Sequence, residues 1–381
     1  MSTRLADPSA ATHFVSLQEI AIEARRRMSD HAWDYLSGGG ESETTLKRNR
    51  WALDSIAFRP RVLVDVGRID TTASFLGFPL RIPVMLAPIG SLHLMHPGAA
   101  IPVVRAADRF GTVPFISTVT SPTLEEVGPA TPGPKVFQLY VRGDMDWVDR
   151  TLDRAVAAGF NALAITVDVA HYGRRERDLV NRFNRREFVR RANIESVNFD
   201  NEFNYQAALT WPFIEHCRKR SKLPIIIKGI ATAEDAKLAL DHGVDALYVS
   251  NHGGRQLDHG IGAIDALSEV VEVAKGKCDI VVDGGFIRGS DVIKALARGA
   301  TAVAIGKLQG WALAAGGEEG MLRALELLET EMILSMGLLG ACAVKELGPR
   351  HLRAAMPVNM PHALGAYPLY MEKFVNSPER G

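Results

Sequence analysis

The feature that most constrains this chain is a recurring junction. A helical stretch stops at glycine, and a short, β-branched, almost uninterruptedly apolar run begins at once. Phe110-Gly111 precedes TVPFIS (112–117), and Ala158-Gly159 precedes FNALAITVD (160–168). His242-Gly243 precedes VDALYVS (244–250), and Arg298-Gly299 precedes ATAVAIG (300–306). Glycine ends helices because the next step needs a left-handed backbone, which glycine adopts with little strain. Runs that are apolar throughout, not at alternate positions, belong to strands buried on both faces of a parallel sheet. IPVMLAP (82–88), KVFQLY (135–140), PIIIKG (224–229) and DIVVDGG (279–285) fit the same description and bring the number of strands to eight.

Helices fit between these runs. One opens at Thr232 with Glu234 and Asp235 in its first turn; another opens at Ser290 with Asp291 and carries Val292, Ile293 and Leu296. A capping side chain followed by early acids marks a helix start. Eight strand–helix units in roughly 230 residues suit a closed barrel better than an open doubly wound sheet. The GxGxxG fingerprint that usually accompanies the open fold is absent. The expected class is α/β: a (β/α)8 TIM barrel with an N-terminal helical extension and a lid loop after strand 4. The expected organisation is a loose arm over 1–15, one barrel domain over 16–374 and a loose tail over 375–381.

Composition removes several function classes. Lysine plus arginine and aspartate plus glutamate each number 44, so the chain lacks the positive surplus of a nucleic-acid binder. The most apolar segments, 82–95 and 299–317, are interrupted by His93 and Lys307, and neither reads as a membrane span. Met1 to Thr12 lacks the apolar centre of a signal peptide. Cys217, Cys278 and Cys342 match neither a metal spacing nor an even-numbered disulfide framework. They are expected to be reduced, mostly buried thiols of a cytoplasmic protein, with no metal site.

Barrel chemistry gathers at the C-terminal ends of the strands. The polar residues expected there are Gln138, Tyr140, Thr166, Asp168, Lys228, Ser250, His252, Asp283 and Lys307. In SNHGGRQLD (250–258), His252 follows a strand, two glycines remove bulk beside it, and Arg255 comes three residues later. Histidine is the natural general base near neutral pH, and arginine can hold a carboxylate through two parallel hydrogen bonds. Asp168 ends another strand and, placed beside the histidine, would favour the imidazolium and raise its basicity. Arg174 and Arg175 follow, the plain alternative for them being a solvated loop paired with Glu176 and Asp178. DGGFIRG (283–289) and AIGK (304–307) end the last two strands, where barrels often bind phosphate through backbone N–H groups. Lys228 at a barrel mouth can stabilise an anionic cofactor, and the basic run NRREFVRR (184–191) reads as a solvated lid.

Together these residues resemble the FMN-dependent α-hydroxy-acid oxidase and dehydrogenase family. The likeness runs from about residue 15 to about residue 355. It is carried by AWDYLSGGGESETTLKRNRWAL (32–53), FRPRVLVDV (58–66), LAPIG (86–90), FQLY (137–140), GRRERDLVNRF (173–183), IIIKGI (225–230), SNHGGRQLD and DGG. The resemblance implies FMN at the mouth of the barrel and an L-2-hydroxy acid oxidised to the 2-oxo acid, with oxygen or another acceptor taking the electrons. It implies His252 as base with Asp168 as its partner, and Arg175, Arg255 and Tyr35 on the substrate carboxylate. Tyr140 would bond the substrate hydroxyl. Cofactor positions would be Pro88, Ile89, Gly90, Thr118, Gln138, Thr166, Lys228 and Ser250, with Asp283 on the ribityl chain. Gly284, Gly285, Gly306 and Lys307 would take the phosphate. The resemblance also implies a homotetramer.

This chain departs from the family pattern in places. Ile287 and Lys307 stand where arginines are usual, and Val169-Ala170 replaces the usual Thr-Pro. Val119 takes a place that is aromatic in glycolate oxidases, and Gly90 one that is often alanine. Ile287 and Lys307 motivate an alternative, a flavin-poor carboxylate-binding barrel without redox activity. A third reading is a barrel that uses FMN for non-redox work such as isomerisation.

Overall fold

The structure is a computed structural model that describes residues 13–183, 192–194, 202–358 and 360–375. Residues 1–12 of the expected arm, residues 376–381 of the expected tail, and the run 184–191 with much of the expected lid loop lie outside the described residues.

Eight strands form one sheet. They are β1 (Val84–Leu86), β2 (Phe115–Ser117), β3 (Val136–Leu139), β4 (Ala162–Thr166), β5 (Ile225–Ile230), β6 (Ala246–Val249), β7 (Asp279–Val282) and β8 (Ala302–Ile305). From β2 to β8 each strand pairs in parallel with its sequence neighbour, and β8 pairs with β1. Between β1 and β2 contact narrows to a parallel bridge, Leu86 to Pro114, with Leu86 N donating to Val113 O at 3.2 Å. All eight apolar runs are therefore barrel strands. The paired segments are shorter than the runs because the run ends turn out into the mouth and the floor.

The unbroken apolar pattern has a simple cause. Ala162 and Ala164 of β4, Ala246 of β6 and Ala304 of β8 face an inner core with Phe115 and Tyr248. Their neighbours Leu163, Ile165, Leu247 and Ile305 face the helices in an outer core. Small residues fill the narrow interior and larger ones meet the surrounding helices.

The floor of the barrel is sealed by an antiparallel hairpin, Ala73–Phe75 with Phe78–Leu80. Its turn is Leu76-Gly77, both with positive φ (49° and 80°), as a two-residue hairpin loop requires. Phe75 and Leu80 enter the inner core, and Leu76 N donates to Asp279 Oδ2 at 2.7 Å.

The N-terminal extension consists of α1 (Leu17–Arg27), α2 (Asp30–Ser37) and α3 (Thr44–Asp54). Ser16 and Ser29 cap the first two helices. Helix α1 contacts α10 (Lys307–Leu339), which breaks at Gly316-Gly317. Between them in the chain come α4 (Ala100–Phe110), α5 (Met145–Ala157), α6 (Pro212–Ser221), α7 (Ala233–Asp241), α8 (Ala263–Ala274) and α9 (Gly289–Ala297).

Thr232 caps α7 as expected, its hydroxyl accepting from Asp235 N at 3.2 Å. Helix α9 differs, beginning at Gly289 and not at Ser290. Asp291 reaches back from inside it to accept from the N–H groups of Ile287 and Arg288, both at 3.1 Å, so the acid does the capping expected of the serine. All three cysteines are free, but only Cys217 is fully buried. Cys342 is half-buried and donates to Asp65 O at 2.8 Å. Among the described residues no helix is long and apolar enough to cross a membrane.

Candidate active site

The loops following the strands at the mouth converge on one pocket. Three elements place its reactive groups. The β6 loop turns sharply through His252, Gly253 and Gly254, with φ of 58°, 63° and 75°. A left-handed histidine is strained and held by its surroundings. Gly254 is needed for space as well, since a Cβ there would lie 2.5 Å from Leu46 N of α3. Residue 229, in β5, makes a bulge at φ 111°, and a Cβ there would lie 2.7 Å from Asp168 Cβ. This glycine clears the place that Asp168 occupies.

His252 Nδ1 lies 3.1 and 3.2 Å from the two Asp168 oxygens, and His252 Nε2 lies 3.2 Å from Tyr140 Oη. The carboxylate accepts from Nδ1–H, which leaves Nε2 with its lone pair toward the pocket. Burial, with Lys228 and Arg175 nearby, pushes the imidazole below its ordinary value, and the opposing pull of Asp168 is outweighed. Asp168 does raise the basicity of His252 as expected, but desolvation of the imidazolium is the larger effect and the net shift is downward. Burial alone would raise the Asp168 carboxyl, but His252 and Lys228 hold it below the usual range. Burial and Asp168 keep the Tyr140 phenol protonated far above neutrality.

Two guanidiniums flank this pair. Arg255 Nη1 donates to the carbonyls that end α2, those of Tyr35, Leu36 (3.2 Å) and Gly38 (3.3 Å). The helix end thereby satisfies its free carbonyls and docks Tyr35 on the barrel. The Arg255 and Arg175 guanidinium carbons lie 5.0 and 6.0 Å from the Tyr35 ring centroid. Arg175 also stacks on Tyr172 at 4.3 Å.

A third group lies deeper. Lys228 Nζ donates to Ser250 Oγ at 3.0 Å, and Ser250 Oγ donates to Asp283 Oδ1 at 2.6 Å. Lys228 Nζ stands 3.8 Å from Asp283 Oδ2. Gln138 Nε2 donates to Thr166 Oγ1 at 2.8 Å. Gln138 Oε1 is buried and has no hydrogen-bond partner among the described residues.

Across the pocket, Gly284 (φ 105°) and Gly285 (φ 87°) follow β7 and pack on Asn49, while Gly306 precedes the N-terminus of α10. Lys307 Nζ donates to Gly253 O at 3.2 Å. Burial and the neighbouring Arg255 push its ammonium well below the ordinary lysine value. Arg50, on α3, is buried against Asp291 with two bonds of 2.8 Å, is also held by Asp54, and donates to Gly285 O at 3.3 Å.

These residues fit FMN. The buried Gln138 acceptor suits a flavin N3–H, and Lys228 suits the pyrimidine edge where reduced flavin carries negative charge. A bare helix N-terminus, glycine backbones and Lys307 suit a phosphate.

Most of the expected site residues line this one pocket. They are Pro88, Ile89, Gly90, Tyr35, Tyr140, Arg175, Lys228, His252, Arg255, Asp283, Gly284, Gly285, Gly306 and Lys307. Five stand behind it: Asp168, Gln138, Thr166, Ser250 and Thr118. The Thr118 hydroxyl is engaged in the wall, donating to Gln138 O (2.7 Å) and accepting from Tyr140 N (3.0 Å). Arg288 turns away, donating to Glu331 (2.7 Å) and the Ala366 carbonyl, while Ile287 is buried. The sequence reading missed Arg50, Arg142 and Tyr172, which also line the pocket. Arg50 sits four residues from Asp54, which in sequence looks like an ordinary surface helix pair.

Residues 24–354 match the family described as FMN-dependent dehydrogenase. The chain is 39% identical over 352 residues to glycolate oxidase of Spinacia oleracea, covering 89% of this chain and 95% of the relative. It is 38% identical over 368 residues to glycolate oxidase 3 of Arabidopsis thaliana, covering 93% and 99%. A solved structure of mandelate oxidase with benzoyl-formic acid superposes with a TM-score of 0.83 at 38% identity, over 91% of this chain and all of that one.

Proposed function

The chain belongs to the FMN-dependent dehydrogenase family, and from that premise we propose roles for its residues in the oxidation of a 2-hydroxy acid. The protein is an FMN-dependent 2-hydroxy-acid oxidase of the glycolate and mandelate oxidase kind. When bound, FMN supplies the acceptor for a hydride equivalent, which protein side chains lack.

His252 Nε2 takes the proton of the substrate. Asp168 fixes the tautomer that makes this possible and stabilises the imidazolium once it forms. Tyr140 donates a hydrogen bond to the substrate hydroxyl oxygen. Arg175 and Arg255 hold the carboxylate, with Tyr35 adding a hydrogen bond, so that the carbinol carbon is presented to the cofactor in one orientation. Lys228, with Ser250 and Gln138 around it, and the backbone of Pro88 to Gly90 hold the flavin. Asp283 holds the ribityl chain, and Gly284, Gly285, Gly306 and Lys307 hold the phosphate.

The observation that carries this reading is the imidazole itself. One nitrogen is tied to Asp168, the other meets Tyr140, and two guanidiniums stand beside it. A flavin-poor binding barrel is not favoured, since the family match spans 24–354. Oxygen as the electron acceptor, a tetrameric assembly and a cytoplasmic location are further proposals, the last supported by three free thiols.

Anaerobic mixing with 2-hydroxy acids tests the reading. The wild-type flavin should bleach, and His252→Asn should keep its flavin yet lose bleaching by about 10³-fold or more. Normal bleaching by that variant would remove His252 from the mechanism.

A further inference from the structure

The two substrate-side arginines pose an electrostatic difficulty. Both guanidiniums face the Tyr35 ring, and each is a like charge for the other. Arg255 is anchored by the carbonyls that end α2. Arg175 comes from a different loop and needs its own support.

That support is a glutamine outside the roles proposed above. Arg175 Nε donates to Arg255 O and Arg175 Nη2 to Gln256 Oε1, both at 3.3 Å. Gln256 is 7% exposed. Its Oε1 also accepts from Gly173 N at 3.3 Å, and its Nε2 donates to His171 O at 2.8 Å. The amide can stand only this way round, with its acceptor against two N–H donors and its donor against a carbonyl. Residue 173 has to be glycine for the contact to close, because a Cβ there would lie 2.6 Å from Arg255 O and 2.8 Å from Gln256 Cα.

We infer that Gln256 is a positioning residue for substrate recognition. Its amide clamps the loop after β4 onto the loop after β6 and so sets the spacing of the two guanidiniums that grip the substrate carboxylate. The inference rests on the function proposed above, in which those arginines bind that carboxylate. A neutral acceptor is what this place requires. It fixes Arg175 without cancelling its charge, and its amide N–H satisfies the His171 carbonyl. A carboxylate would hold Arg175 more strongly, compete with the substrate anion for it, and set an oxygen against His171 O.

The test uses the FMN-loaded enzyme. Anaerobic flavin reduction yields a limiting rate and a half-saturating concentration of 2-hydroxy acid, and the flavin absorbance reports the Kd of the 2-oxo acid product. Gln256→Leu should raise both the half-saturating concentration and the product Kd about tenfold, with a much smaller change in limiting rate. Gln256→Glu should weaken binding at least as much. A mere packing role predicts the reverse, with the near-isosteric glutamate close to wild type. Near-wild-type product binding by Gln256→Glu, or a loss confined to the limiting rate, overturns the inference. If Gln256→Leu fails to fold, Gly173→Ala spreads the same two loops and should also weaken product binding about tenfold, and unchanged binding would overturn the clamp. Absence of bleaching in the wild type by every 2-hydroxy acid would overturn the proposed function instead, while product binding would still report on the clamp.

Discussion

The two ends of the barrel are made by the same eight strands and put burial to opposite uses. At the floor, Phe75 and Leu80 of the hairpin are at most 1% exposed and close the interior with apolar surface. There, desolvation stabilises the fold directly. At the mouth, Lys228 within β5 and His252 and Asp283 just after β6 and β7 line the pocket, with Asp168 against His252. There, desolvation lowers the imidazole, and the side chains and carbonyls around Arg175 and Arg255 hold two like charges together. Stability and reactivity are thus separated along the strand axis, and a substitution at one end should leave the other's property largely intact.

The sharpest way to break this contrast is at the mouth. Asp168→Asn should slow flavin reduction by about 10²–10⁴-fold, because Nδ1–H loses the acceptor that fixes the tautomer. Its melting temperature should fall less than that of a floor variant.

Phe75→Ala should do the reverse. It should lose about 3–5 kcal/mol of stability in denaturant unfolding while each bound flavin is still reduced at nearly the wild-type rate. A rate loss as large as that of Asp168→Asn would show that floor and mouth are coupled.

The pH dependence sharpens the contrast further. The acid limb of kcat/KM should fall below the ordinary histidine value of 6.5, because His252 is lowered by burial, and it should move lower still in Asp168→Asn. The linked effect on stability has a definite sign. The unfolded chain takes up the His252 proton at about 6.5 and the folded chain only below that, so the contribution is complete above 6.5 and is lost as pH falls from there through the folded value. Asp168, whose folded value is depressed, contributes above the unfolded carboxylate range and is lost as pH falls toward its folded value.

The smallest effect belongs to neither end. Lys222 caps α6 at φ 55° and is exposed, so Lys222→Gly should stabilise by about 0.5 kcal/mol without touching the rate.

What was legible in the chain divides along physical lines. The strands could be read because a parallel sheet buried on both faces admits apolar residues at every position, a local pattern. The floor hairpin was not read, since its strands are three residues each and Gly77 was its one clear turn signal. His252, Asp168 and the arginines could be named from strand-end position and family resemblance. The two wall bonds of Thr118 could not be read, because they go to residues 20 and 22 positions away. Nor could the sequence show that Arg288, beside Ile287, turns to Glu331, 43 residues on.

By itself, then, the order of residues determined the α/β repeat, the class of barrel and the chemical types gathered at its mouth, because periodicity and strand-end placement are local properties of a chain. Tertiary structure alone decided that the histidine is lowered and not raised, that Arg50 is neutralised behind the glycine loop, and that one glutamine amide spans two loops. Each of those outcomes is a balance of desolvation against partners brought together from distant stretches, and no local pattern contains it.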